Sequence, residues 1–202
     1  MARDPKNYDH LIGKVKGLSE GQLKAHFTLY QGYVKKLNEI EQKLGTVDKS
    51  APNYSYNEYS ELKRREPVAY NGTILHEMYF DNLGGEGTQA PDFFKGAVTA
   101  NFGSWDNYIA DIKAAAGSAH GWVLTCFTYG DMKLKNVLVH SEHHVGLQAD
   151  AQIFVAIDCW EHAYFMDYGT KKPDYIAAVL ASLNWNVIGE RGKMSPLAQP
   201  PK

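Results

Sequence analysis

The sequence predicts an α+β protein: an N-terminal helical hairpin domain, residues 1–88, and a C-terminal domain, residues 89–202, with a three-stranded antiparallel sheet and helices. Three observations carry that reading. Apolar residues recur at helical spacing through most of the first eighty positions. From Gly121 onward the pattern changes to short strand-like runs, two of them arranged as a hairpin. Between these regimes lies Gly84-Gly85-Glu86-Gly87-Thr88-Gln89-Ala90-Pro91, the strongest run of breakers and the natural boundary.

Residues 1–18 have no clear period and read as an extended lead-in. Ser19-Glu20-Gly21-Gln22 has the capping-box form, with Ser19 as N-cap and Gln22 reaching back. A long helix should follow to about Leu44, stopped by Gly45. His26, Tyr30 and Tyr33 stand at i, i+4 and i+7 on it, among Leu23, Leu29, Leu37 and Ile40, so they share an inward face. After a turn-rich stretch, a second helix begins near Tyr56 and reaches Arg65. Pro67 kinks it or starts a fresh one, and helix continues from Val68 to Asn82 with His76 amid apolar neighbours. Gly72, one turn earlier, leaves space beside that imidazole. Shorter helices are expected over Pro91–Asn101 and, behind an N-cap at Ser104, to Ala116. Trp122–Tyr129 and Lys133–Val139 form the hairpin, and His140–His144 a polar loop. Gln152–Ile157 is the third strand. A short helix over Trp160–Tyr168 and a last one from Asp174 to about Trp185 complete the chain, leaving a proline-rich tail from Pro196.

Composition narrows the function. The net charge is -2 and no basic stripe occurs, which argues against nucleic acid. No apolar run approaches the roughly 20 residues of a membrane span. The start of the chain carries no apolar signal core, so the expected address is cytoplasmic. Cys126 and Cys159 sit in apolar strand-like runs and read as buried, inert thiols. The 13 Tyr, 4 Trp and 8 His suit a buried polar network or a generous aromatic core.

Chemistry concentrates in Asp158-Cys159-Trp160-Glu161-His162-Ala163-Tyr164. An acid at the end of a buried strand needs a partner, either a metal or ordinary hydrogen bonds. With His26 and His76 from the helical half, Asp158 and His162 make three imidazoles and one carboxylate. Such a set can hold zinc for hydrolysis, or iron or manganese for redox chemistry.

These residues resemble the iron/manganese superoxide dismutase family. The run from Asp158 to Tyr164 matches its D-x-W-E-H-A-Y signature in full. Lys172-Pro173-Asp174-Tyr175-Ile176 is similar to its R-P-D-Y-I segment, and Asn184-Trp185 to its closing N-W. Phe102-Gly103-Ser104, Gly121-Trp122 and His76-Glu77-Met78-Tyr79-Phe80 fall where the family has F-G-S, its first strand and H-x-x-x-W, with Phe80 in place of Trp. The likeness covers roughly residues 19–190. It implies a superoxide dismutase with one iron per subunit, manganese being the alternative, held by His26, His76, Asp158 and His162. A non-redox metal protein or metallohydrolase on the same ligands is the competing reading.

The resemblance implies further roles. Glu161 and Tyr164 reach toward a partner subunit, so the expected assembly is a homodimer or a tetramer. Trp122 and Trp160 wall the metal, and Lys172 stands where relatives carry Arg near the channel mouth. The family's usual Gln beside the bound solvent is missing. Gly72 takes its helix position, and His143, with His140 and His144 as alternatives, its loop position, where it would hydrogen-bond the solvent. Tyr33 falls one residue early for the gateway tyrosine, and Tyr30 replaces a His. The Gly72 arrangement is manganese-like and a loop His occurs in iron-using relatives, which tips the expectation to iron.

Overall fold

The computed structural model describes residues 2–193. The tail from Pro196 lies outside them. Two long helices, α1 (Glu20–Thr46) and α2 (Glu58–Asp81), pack against each other as the expected hairpin. Ser19 caps α1 by accepting from the Gln22 backbone N–H. The reciprocal half of the box does not form. The Gln22 side chain instead donates to the His162 carbonyl at 2.6 Å and accepts from the Met166 N–H. Gly45 does not stop α1, since its φ is not in the left-handed region and nothing crowds it.

Pro67 neither breaks α2 nor opens a new helix, and α2 runs through it from an N-cap at Asn57. Proline there removes one backbone donor, and the flanking turns and the contact with α1 carry the helix across the gap. The lead-in is not merely extended. It includes a short 3-10 turn at Asp9–Leu11, and Tyr8, Leu11, Val15 and Leu18 are buried. Arg3 and Lys6 both meet the buried Glu77 carboxylate, which also accepts from the Tyr30 hydroxyl.

Beyond the breaker run come α3 (Asp92–Phe102) and α4 (Trp105–Ser118), the latter capped by Ser104. The strands are β1 (Trp122–Thr128), β2 (Lys133–Val139) and β3 (Ala151–Asp158), antiparallel in the order β2-β1-β3. Central β1 is buried along its whole length, as a strand covered on both faces must be. At one end of the sheet Trp122 pairs with both Val139 and Asp158. That register brings the first residue of β1, the end of β3 and the loop after β2 to one place.

The segment after β3 is less regular than expected. A 3-10 turn at Glu161–Ala163 and the short α5 (Phe165–Tyr168) are separated at Tyr164, whose φ of -144° is not helical. The last expected helix is in fact two, α6 (Lys172–Ala181) and α7 (Trp185–Gly192). Asn184 ends the break by capping α7. The breaker run is bonded into this region: Gly85 N–H donates to Ser182 O and Thr88 to Leu183 O. Arg191 of α7 donates to Met78 and Phe154 carbonyls and to Asn82. One cluster of buried apolar side chains draws on both halves, from Tyr8 to Ile188.

Candidate metal centre

Helix periodicity delivers two of the four candidate ligands. His26 on α1 and His76 on α2 face each other with ring centroids 5.1 Å apart. Asp158, fully buried, ends β3, and the turn after it presents His162. One atom from each of the four lies within 4.8 Å of the others. The three Nε2 atoms converge on a single oxygen, Asp158 Oδ2, at 3.2 Å from His26, 3.1 Å from His162 and 3.6 Å from His76. The other carboxylate oxygen accepts from Trp160 N–H at 2.9 Å, and the Asp158 carbonyl accepts from the Tyr175 hydroxyl at 2.7 Å. The carboxylate is thus fixed from behind and aimed at the imidazoles.

The donor set fits a cation. His76 Nδ1 lies 2.5 Å from Gly72 O, so Nδ1 carries the proton and Nε2 presents a lone pair. That Nε2 is buried and has no hydrogen-bond partner among the described residues. An orphaned buried acceptor beside a buried carboxylate is what a first-row transition ion would satisfy. Burial, then the neighbouring His26, pushes His76 down to about 3, and burial likewise lowers His26. Burial would raise the Asp158 carboxyl, but the His162 and His26 imidazoles outweigh it and hold it well below the carboxylate range. The same carboxylate outweighs burial at His162 and raises it. The resting site therefore offers an ionised carboxylate and neutral imidazoles on α1 and α2.

Three residues, Tyr33, Trp122 and His143, pack beside His76. His143 is 3% exposed, whereas His140 is exposed and His144 bonds only the Glu142 carbonyl. Trp122 Nε1 donates to His143 Nδ1 at 2.8 Å, and His143 Nε2 lies 2.7 Å from the Tyr33 hydroxyl. Burial lowers the His143 pKa and keeps the ring neutral. Its single proton must then sit on Nε2 and point to Tyr33 Oη, which leaves the Tyr33 O–H free to donate elsewhere. The Tyr33 ring fills the room left by Gly72, where a Cβ would come within 2.5 Å of Tyr33 Cδ1.

A match to the description "Iron/manganese superoxide dismutases, C-terminal domain" covers residues 91–191. The chain is 37% identical over 196 residues to the iron superoxide dismutase of Aquifex pyrophilus, covering 93% of this chain and 90% of that one. It is 37% identical over 177 residues to the iron enzyme of Cupriavidus metallidurans, covering 85% and 87%. A manganese enzyme of Haloferax volcanii is 32% identical over 165 residues, covering 80% and 79%.

The chain belongs to the iron/manganese superoxide dismutase family.

Dismutases of this family work with iron or manganese, and the buried His/Asp cluster is a site of the kind that can hold a metal ion. The remaining expected residues lie at varied distances from that cluster. Trp122 packs on His76 at 5.0 Å, and Trp160 lies 6.0 Å from His143 and parallel to His162. Glu161 is exposed beside His162. Tyr164 is buried against Tyr175 of its own chain, with the Lys172 ammonium 6.0 Å above its ring and donating to Ala119 O. The Tyr30 hydroxyl turns away from the cluster, accepting from Lys6 N–H and donating to Glu77. Sequence reasoning missed Gln22, which anchors the His162 turn to α1, and Tyr175, which backs Asp158. Gln22 was hidden because its capping-box position already explained it. Tyr175 lies within the K-P-D-Y-I segment, where nothing local signals that its hydroxyl reaches the Asp158 carbonyl.

Proposed function

We propose that the chain disproportionates superoxide at one iron held by His26, His76, Asp158 and His162, with Tyr33 and His143 delivering protons. The observation that carries this is the convergence of three imidazole nitrogens on one buried carboxylate oxygen. Iron or manganese bound there supplies one-electron chemistry between the +3 and +2 states, so that one superoxide leaves as O₂ and the next, with two protons, as H₂O₂. The protein's part is to hold, shield and protonate. Trp122 and Phe80, both fully buried, keep water from the inner face of the ligands and strengthen local electrostatics. Tyr33 offers its free O–H to the reacting anion, and the His143 Nε2–H steadies the phenol oxygen as that proton leaves. Trp122 holds the His143 tautomer that makes this possible.

The sequence-based expectation placed His143 itself against the bound solvent. With both ring nitrogens engaged, its part becomes support for Tyr33. Lys172 adds positive charge that helps draw a small anion to a chain of net charge -2. Exposed Glu161, adjoining a ligand histidine, is a natural contact for the ligand His of a second copy, so we assign a homodimer and leave a tetramer to solution measurement. Among the described residues no helix is long and apolar enough to cross a membrane, and a cytoplasmic address is part of this proposal.

Elemental analysis of the purified protein, with dismutase assays after loading each metal, tests the reading. Activity with iron is expected. Activity with zinc alone, or with no metal, would overturn it in favour of a non-redox site.

A further inference from the structure

The loop that carries His143 has an unusual backbone. Glu142 and His143 are consecutive, neither is glycine, and both have left-handed φ, 63° and 61°. Two such residues in a row persist only where their surroundings impose them. The base of the loop is pinned: His140 N–H donates to Val145 O, and Gly146 packs so closely on the Leu138 carbonyl that a Cβ would lie 2.2 Å from it. From inside, Trp122 and Tyr33 grip His143. From outside, the Arg65 guanidinium of α2 bonds the Glu142 carboxylate at 2.6 Å. Arg65 is also near enough to Tyr33 for its charge to oppose the burial that raises the phenol.

We propose that Arg65 and Glu142 form a positioning clamp. By tying the strained tip of the loop to α2, they hold the His143 imidazole against Tyr33. The catalytic consequence rests on the role of Tyr33 and His143 given above. Neither clamp residue touches substrate, and about half of each side chain is exposed. Their contribution is accordingly that of an exposed ion pair.

Amide hydrogen exchange of residues 140–147 in the metal-loaded enzyme tests the clamp. Arg65→Gln and Glu142→Gln should each speed exchange about two- to fivefold in this loop. The double variant should loosen it no further, and the charge swap Arg65→Glu/Glu142→Arg should restore at least half the protection. Additive effects, no change, failure of the swap, or an even rise across the chain would each overturn the clamp.

A steering role for Arg65 predicts something different. Removing the negative charge in Glu142→Gln would then raise kcat/KM for an anionic substrate. Positioning requires kcat to fall in both single variants and recover in the swap. Loosened exchange with unchanged kcat would overturn the positioning role. A metal-loaded parent enzyme with no dismutase activity would defeat the functional reading instead, while the exchange data would still judge the clamp.

Discussion

The candidate ligand cluster and the proposed proton-donor edge beside it are built in opposite ways. His26 and His76 ride on long regular helices and Asp158 ends a buried strand, all nearly without exposure. Tyr33 is only partly buried, and His143 hangs from a loop with two left-handed residues. His26, His76 and Asp158 gain their geometry from regular secondary structure, while His162 sits on a 3-10 turn that Gln22 ties to α1. The edge gains its geometry from the side chains of Trp122, His143 and Tyr33, which must find each other and the space at Gly72 across four segments. The first is rigid by construction and the second by mutual contact. Damage to the first should abolish metal binding, whereas damage to the second should spare the metal and slow the reaction.

The largest test removes the centre of the cluster. Asp158→Ala should leave no bound metal by elemental analysis and no dismutase activity. Urea unfolding of its metal-free form should show a loss of about 1–3 kcal/mol, the scale for leaving buried polar groups unpaired. A variant that kept its metal would break the contrast at once.

Acid is the next test, applied to the metal-free protein. His76 titrates at about 3 when folded, against about 6.5 free. A depressed folded value means its contribution is present above the free pKa and is lost as pH falls toward 3. His26 acts in the same direction, and His162, raised by Asp158, acts in the opposite one. Stability should therefore drop between pH 7 and 4, and His76→Asn should flatten that slope. An equally steep curve in the variant would show that the cluster is not the acid-sensitive region.

At the edge, Tyr33→Phe keeps the ring over Gly72 and deletes the proton. Activity should fall about ten- to a hundredfold with metal content unchanged. Loss of metal in this variant would merge the two regions that the comparison separates.

The smallest effect sharpens it. Gly72→Ala should gain about 1 kcal/mol from helix propensity and lose about 1–3 kcal/mol as Tyr33 is pushed aside. Calorimetry should find Tm unchanged to lowered by several degrees while kcat drops. A variant that is more stable and fully active would mean that Tyr33 has other room.

The same contrast explains what the sequence disclosed. Helical spacing placed His26 and Tyr33 on one face, and the change to alternating strands at Gly121 located the sheet that ends in Asp158. These are local signals with a fixed period. The division of the C-terminal region into α6 and α7 was hidden because the apolar residues run on past Leu183, while Asn184 caps a new helix only once its backbone turns. The engagement of both His143 nitrogens, the diversion of Gln22 to His162 and the turning of Tyr30 toward Glu77 depend on contacts over long sequence separations. No periodicity encodes them. The lead-in appeared featureless for the same reason: Arg3 and Lys6 acquire meaning only when α2 brings Glu77 to them.

The proposed ligands come from distant parts of the chain, with His26 and Asp158 separated by 132 positions. During synthesis, an emerging polypeptide holds no complete site until the turn after β3 has left the ribosome and α1 has waited for it. Capture of an ion there is thus a late event, coupled to closure of a long loop. A ribosome-bound chain ending before His162 should collect no iron, and the supply of free metal at the moment of release, rather than during elongation, should govern how much active enzyme a cell obtains.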